Sequence, residues 1–306
     1  MTNRFLIPQE NGDFKSFDTS CTEALQILHE KLDFGLWMVT RVDGADWIVL
    51  KSHDRDYGVR DGDVFVWMES FCCRMVKGLG PTFAPESDNV LAYAQAEIGR
   101  QIPIQAYMGF PLLRENGELI GTLCAIDPSP VPESWSEHKL FVEGIAIELA
   151  QSYNREYSST LKLGTEQLSN PMSDDEVQVL LSPDWNSSME FHEQEAKSSG
   201  KPVSIMVIKL DQSSHPGLGL ESSLSKLVGR GNFVSYQGGG KYAALLLDCN
   251  APRLDAYAEL VRTWLDSQKF HFRIGYAVTS GTHGIRHAYE LALSRVDSPG
   301  TGKIAA

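Results

Sequence analysis

Asp43-Gly44, Asn116-Gly117 and the run Gly238-Gly239-Gly240 each stand between two stretches of strand-forming residues. Asp-Gly and Asn-Gly pairs, like paired glycines, reach the positive φ that a two-residue hairpin turn needs, so each is a point where the chain doubles back. The flanks agree: Gly35 to Val42 with Ala45 to Lys51, Gly109 to Leu113 with Glu118 to Ile126, and Phe233 to Tyr236 with Tyr242 to Asp248, all rich in β-branched, aliphatic and aromatic residues. A chain with three such hairpins is committed to antiparallel sheets.

Helical stripes fill the intervals. Ser20-Cys21-Thr22-Glu23 fits a capping box ahead of Leu25, Leu28 and Leu32, and Ser134-Trp135-Ser136-Glu137 fits another ahead of Leu140, Phe141, Ile145 and Leu149. Val64, Met68, Phe71, Cys72 and Met75 recur at helical spacing up to Gly78. Helix, hairpin, helix, hairpin, helix predicts an α+β sandwich with a one-sided antiparallel sheet. The later part of the chain reads as a helix from about Asp184 to Ser198, an apolar strand from Val203 to Leu210, and a helix over Leu220, Leu224, Leu227 and Val228 stopped by Gly229. The third hairpin follows, then a helix marked by Leu254, Tyr257, Val261, Trp264 and Leu265, the strand His271 to Val278, and a helix from Ile285 to Val296. Strand, helix, strand, strand, helix, strand is the ferredoxin-like order, so the fold class is α+β throughout.

At 306 residues the chain is long enough for two cores, and its 42% hydrophobic content suffices for both. An acidic, polar stretch with Pro171 and Pro183 marks the join. The divisions are an N-terminal extension over 1–18, a first domain over 19–155, a linker over 156–183 and a second domain over 184–303. The helix opened near Ser136 meets no proline as far as Leu161 and is expected to run past Tyr153. Its apolar residues repeat every four positions, which leaves open pairing with a second copy as a homodimer or packing on its own domain. A net charge of −13 without a basic cluster argues against nucleic acid and anionic membranes as partners. No run of about 18 apolar residues occurs, and the five cysteines follow no disulfide framework, so a soluble cytoplasmic protein with reduced thiols is expected.

Ser70-Phe71-Cys72, Arg74-Met75-Val76, Tyr107-Met108-Gly109-Phe110-Pro111-Leu112 and above all Gly121-Thr122-Leu123-Cys124-Ala125-Ile126-Asp127-Pro128 resemble the GAF domains of bacterial sensor proteins, over roughly Thr19 to Tyr153. The resemblance implies an input module that holds a cyclic nucleotide, a tetrapyrrole, haem or another small molecule against its sheet. The cofactor stays unknown, and nothing covalently bound is expected, because no cysteine is followed by the histidine of bilin-attaching relatives. A mainly apolar cavity is expected between the sheet and the segment Val64 to Tyr107, with Trp67, Tyr107 and Cys124 as candidate ligand-binding residues; plain core packing is the other reading of all three.

Gly238-Gly239-Gly240-Lys241-Tyr242 resembles an altered GGDEF motif of diguanylate cyclases. Carried over position by position, the resemblance sets Lys209 at the first metal-binding aspartate and Lys241 at the motif's glutamate, leaving Asp211 as the one acid of the degenerate site. Guanine-reading positions would fall in His215 to Leu218, and an inhibitory R-x-x-D would need Arg at Gly229 and Asp at Asn232; neither is present. Magnesium takes hard oxygen ligands and a charged lysine offers none, so no catalytic residues, no metal and no enzyme activity are expected. Lys209 and Lys241 should lie close together, with Asp211 the nearest counter-charge in sequence. The sequence thus reads as a non-catalytic, cyclic di-GMP-related signal-transduction protein with a small molecule at its GAF domain and an unknown protein partner. A nucleotide or anion sensor and an atypical diguanylate cyclase are the alternatives.

Overall fold

Two antiparallel sheets organise the chain in this computed structural model, which describes residues 15–169, 185–211, 220–229, 231–279 and 283–297. The first region runs α1 (Phe17–Lys31), β1 (Leu36–Asp43), β2 (Asp46–Asp54), β3 (Val64–Val66), α2 (Phe71–Val76), β4 (Phe83–Ala84), α3 (Leu91–Ala94), α4 (Ile98–Gln101), β5 (Ala106–Leu113), β6 (Leu119–Asp127) and α5 (Lys139–Ser169). Its six strands lie in the order β3-β2-β1-β6-β5-β4. Both hairpins form where the turn residues demand, with Asp43 opposite Asp46 and Leu113 opposite Leu119. Pro111 is tolerated inside β5 because that strand's outer neighbour is only two residues long: Gly109 donates outward to Thr82, so Pro111, facing the same way, needs no partner.

The sheet is covered on both faces, not one. Trp37, Val39, Met108, Phe110 and Leu123 pack toward α1 and α5, whereas Leu36, Met38, Tyr107, Cys124 and Ile126 pack toward α2, α3 and α4. Alternation is hidden because both sides of the strands are apolar, which is the pattern of a sheet buried on each face. Two helix starts also move. The first helix begins at Phe17, where Ser16 accepts from Thr19 N, so Ser20 lies within the first turn and is not the cap. Residues Glu133–His138 form a 3-10 turn with no side-chain cap, and the α-helix begins at Lys139. Of the stripe Val64 to Met75, Val64 and Val66 belong to an edge strand and only Phe71 onward is α-helical, capped by Ser70. Its helical spacing arose from a strand, a 3-10 turn and a helix placed end to end.

The long helix α5 crosses from one sheet to the other. Val142, Ala146, Leu149 and Tyr153 are buried in the first region, and residues 156–169, assigned by sequence to a linker, continue the helix. The second region runs α6 (Trp185–Ser199), β7 (Val203–Leu210), α7 (Leu220–Val228), β8 (Phe233–Gly238), β9 (Lys241–Leu247), α8 (Ala251–Ser267), β10 (Phe272–Val278) and α9 (Ile285–Asp297). Its strands lie in the antiparallel order β10-β7-β9-β8. Gly239 and Gly240 turn the β8–β9 hairpin with φ of 59° and 76°, the sign that a primed two-residue turn requires at both central positions. Leu220, Leu224, Leu227 and Val228 are all buried, as their spacing predicts.

The two regions meet across a charged seam. Arg41 on β1 lies 2.7 Å from Asp255 on α8 and donates to the Tyr276 hydroxyl of β10 at 2.9 Å. Asp255 also takes Arg114 at 3.2 Å and the Tyr153 hydroxyl of α5 through its other oxygen. Arg295 on α9 reaches Asp46 of β2 at 3.0 Å, and Arg253 reaches Glu156 at 2.9 Å. Apolar contact joins in, since Ala251 and Val278 pack into the core under α1 and α5.

Candidate functional site

A cavity of about 210 Å³ opens on the α2 face of the first sheet. Its floor is made by alternate residues of the central strands, Leu36 and Met38 from β1, Tyr107 from β5, and Cys124 and Ile126 from β6. Phe71 and Cys72 of α2 and Ile98, Ile102 and Ile104 close one side; Trp47, Tyr57, Gly58, Val59, Asp63 and Phe65 close the other. Two loop segments form its lips. Asp54 accepts from the backbone of Tyr57 and Gly58 at 2.9 and 2.6 Å, which fixes the turn, and the Tyr57 hydroxyl then donates across to Pro103 O at 2.9 Å.

Polar groups in the wall are few. Tyr107, wholly buried, donates to Cys72 Sγ at 3.4 Å, and the Thr122 hydroxyl behind them donates to Cys124 Sγ at 3.8 Å. Gly109 makes this possible, because a β-carbon there would sit 2.1 Å from the Tyr107 hydroxyl oxygen. The Cys124 thiol is held well above its ordinary range by its hydrogen bond to Cys72 and by burial. Burial pushes the Cys72 thiol up too, but hydrogen bonds from Cys124, Thr122 and Tyr107 outweigh it and set Cys72 below the ordinary thiol range. The single carboxylate, Asp63, holds Arg60 N at 2.8 Å.

Of the sequence-derived candidates, Tyr107 and Cys124 line this cavity; Trp67 does not, and instead packs against Trp47, with ring centroids 6.3 Å apart. Sequence reasoning missed Trp47, Tyr57 and the three isoleucines. Trp47 carried a usable signal, since it stands on the same face of the predicted hairpin as Val49; Tyr57 carried none, because its role depends on a loop closing over a distant segment.

The positions singled out by the resemblance of Gly238 to Tyr242 also come together. Lys209 and Lys241 face each other in register on β7 and β9. Their counter-charge is Asp297, at the end of α9, with Lys209 Nζ 2.6 Å from one oxygen and Lys241 Nζ 3.0 Å from the other. Asp211, the expected counter-charge, is exposed just past the end of β7, and its backbone N–H donates to His271 O at 3.0 Å. Sequence distance misled here: the partner comes from 88 residues away. Hydrogen bonds from Lys209 and Lys241 hold the Asp297 carboxyl below the usual range. Gly229 ends α7 with φ of 78°, and Asn232 is a buried bracket that donates to Val228 O at 2.6 Å and accepts from Leu247 N at 2.8 Å. The stretch His215 to Leu218 lies outside the described residues. Among the described residues no group of three or more His, Cys, Asp or Glu could hold a metal ion, and no helix is long and apolar enough to cross a membrane.

A larger cleft, about 520 Å³, lies between the two regions and is lined by charged residues including Asp18, Arg41, Lys51, Asp61, Lys197 and Arg295. Its cations are engaged already: Lys51 with Asp61 at 3.0 Å, Lys197 with Glu193 at 2.8 Å, Lys201 with Asp248 at 3.6 Å, Arg41 with Asp255 and Arg295 with Asp46. A charged ligand there would have to break those pairs, so the apolar cavity is the better candidate site.

Similarity to known proteins agrees with the position of that cavity. The family model described as GAF domain matches residues 16–153. Among solved structures the chain is similar to a far-red cyanobacteriochrome photoreceptor, with 17% identity over 46% of this chain and 87% of that one and a TM-score of 0.37. It is similar to the PixJ GAF domain of Thermosynechococcus elongatus in its blue-light absorbing form, with 12% identity over 49% and 91% and a TM-score of 0.41. A free methionine-R-sulfoxide reductase from Neisseria meningitidis, solved with its substrate, aligns at 14% identity over 47% and 83% with a TM-score of 0.37. At these scores the likenesses carry no functional argument. No curated protein matches the chain significantly. The family match, on a segment that forms a helix-flanked antiparallel sheet, identifies residues 16–153 as a GAF domain.

Proposed function

We propose that this chain is a non-enzymatic signalling protein in which the GAF domain senses a small molecule and a second, inactive GGDEF-like domain is the output or interaction module. The observation that carries the sensing half is the walled cavity inside the segment matched as a GAF domain. The output half is supported by the βαββαβ element order with strands in the order β10-β7-β9-β8, which matches a ferredoxin-like arrangement, and by the resemblance of Gly238 to Tyr242 to the GGDEF signature. Inactivity is supported by Lys209, Lys241 and Asp297, which form a closed ion pair where the resemblance puts metal carboxylates. The same contacts weigh against an anion sensor at these lysines, since an anion there would have to displace Asp297 or share both ammonium groups with it.

A route from sensor to output is built into β1 and β2. Leu36 and Met38 stand in the cavity wall, and three residues beyond, Arg41 holds Asp255 of the second domain; Trp47 stands in the wall and its neighbour Asp46 holds Arg295. A bulge in β1 between Val39 and Thr40 lies between the two ends. Cavity occupancy that shifts either strand therefore acts on both seam ion pairs.

Incubation of the purified chain with GTP and magnesium or manganese should give no cyclic di-GMP above a heat-killed control. Turnover that disappears in Asp211→Ala would refute the inactive-output reading while leaving the sensor untouched.

A further inference from the structure

The cavity's wall chemistry reaches further than the sensing proposal on which this inference rests, because it selects among ligand classes. We infer that the GAF cavity takes a small, uncharged, largely apolar molecule of about one or two aromatic rings, and not the anionic or tetrapyrrole ligands of better-known GAF domains. Three observations converge.

The first is size. A cavity of about 210 Å³ is somewhat larger than the ~150 Å³ apolar cavity that accommodates benzene. A linear or cyclic tetrapyrrole is several times larger. The second is charge. None of the residues lining the cavity is Lys, Arg or His, and the one side chain with a carboxyl group in the wall is Asp63. A phosphate or carboxylate placed there would be desolvated without a cation and would face a like charge, and an unpaired buried ion is among the most unfavourable states a protein can hold. The third is softness. At the floor the polar atoms are two thiols and a phenol, and Tyr107 already donates to Cys72. Thiols are weak donors and polarizable contacts, which suit an aromatic edge or a weakly polar substituent and give little to a strongly hydrated group. Around that floor Trp47, Phe65 and Phe71 supply ring faces.

Charge is tested cleanly by two compounds of nearly equal shape. The full chain is titrated with benzyl alcohol, benzoate, indole, guanosine 3′,5′-cyclic monophosphate and biliverdin, with binding read by thermal shift and by the fluorescence of Trp47 against a Trp47→Phe control. Benzyl alcohol or indole should raise the melting temperature and saturate, with benzoate at least tenfold weaker than benzyl alcohol and the other two inert. In Cys124→Leu, which fills the floor, and in Ile102→Trp, which fills the half-buried rim at the edge of the core, the neutral ligand should bind at least tenfold more weakly; the two variants guard against one failing to fold. Tight binding of benzoate, the cyclic nucleotide or biliverdin would overturn the ligand class and leave the sensor proposal standing. Undiminished binding of the neutral ligand in both variants would overturn the assignment of the site. A chain that responds to none of the five would overturn the ligand class and the sensor proposal together.

Discussion

Asp255 and Asp297 are each gripped by two cations, and they differ in burial and in the partners that hold them. Asp255 sits between Arg41 and Arg114 at the seam, its side chain 7% exposed; Asp297 sits between Lys209 and Lys241 at the rim of the second sheet, its side chain 45% exposed. At the seam the geometry is not ideal for every atom: Asp255 Oδ1 is close to the Arg41 guanidinium but off the axis of its N–H bonds, so that contact is electrostatic, while Oδ2 takes the true hydrogen bonds from Arg114 and Tyr153. Burial alone would disfavour the Arg41 charge; Asp255, Tyr276 and Asp43 together more than offset it and hold the guanidinium protonated. The buried cluster is therefore a lock whose parts depend on one another, and the exposed cluster is a set of charges that water would screen in any case.

The largest effect should come from breaking the buried hub. Asp255→Ala leaves Arg41 and Arg114 with only the longer ion pairs to Asp43 and Glu118, at 3.6 and 3.7 Å, and should lower stability by about 3–5 kcal/mol, read from the urea midpoint. It should also loosen the second region from the first, seen as faster backbone exchange in α8 and β10. A loss of under about 1 kcal/mol, within the range of surface pairs, would show that water reaches the seam and that burial does not separate the two aspartates.

A third aspartate sharpens the comparison through pH. Asp18, half-buried in the cleft between the regions, has its carboxyl pushed up to about 6, by burial first and then by Glu156 and Asp61, with Lys51 pulling the other way. Its unfolded value is near 3.9, so between about pH 4 and 6 the folded chain holds a proton that the unfolded chain has lost. That contribution is fully present below about pH 4 and is lost as pH rises through 6. Asp18→Asn should therefore stabilise the protein by roughly 1–3 kcal/mol at pH 7.5 and be near neutral at pH 4. Equal stabilisation at both pH values would mean that the effect is packing and not ionisation.

The smallest effect belongs to the exposed hub. Asp297→Ala should cost about 0–1 kcal/mol, falling further in high salt. It should also free Lys209 and Lys241, so that inorganic phosphate, without effect on the parent chain, gives a small thermal shift in the variant. A loss comparable to that of Asp255→Ala would erase the distinction drawn from burial.

The three hairpins, the helix over Leu220 to Val228 and the order of elements along the second region were legible in the sequence because their causes are local. A positive-φ glycine between two β-rich flanks, or leucines at helical spacing ahead of Gly229, needs no distant partner to have its effect. Tyr107 and Cys124 line the cavity because they stand on one face of β5 and β6. Local pattern failed where one spacing is produced by several short elements, as over Val64 to Met75, and where apolar residues on both faces conceal a two-sided sheet. Tertiary structure alone decided what each charge meets. That Lys209 and Lys241 close on Asp297 and not Asp211, that Arg41 finds Asp255, and that Tyr57 spans the cavity mouth to Pro103 all join residues far apart in sequence. Electrostatic and hydrogen-bond partners are chosen by proximity after the cores have packed, and one amino-acid sequence carries no local record of that choice.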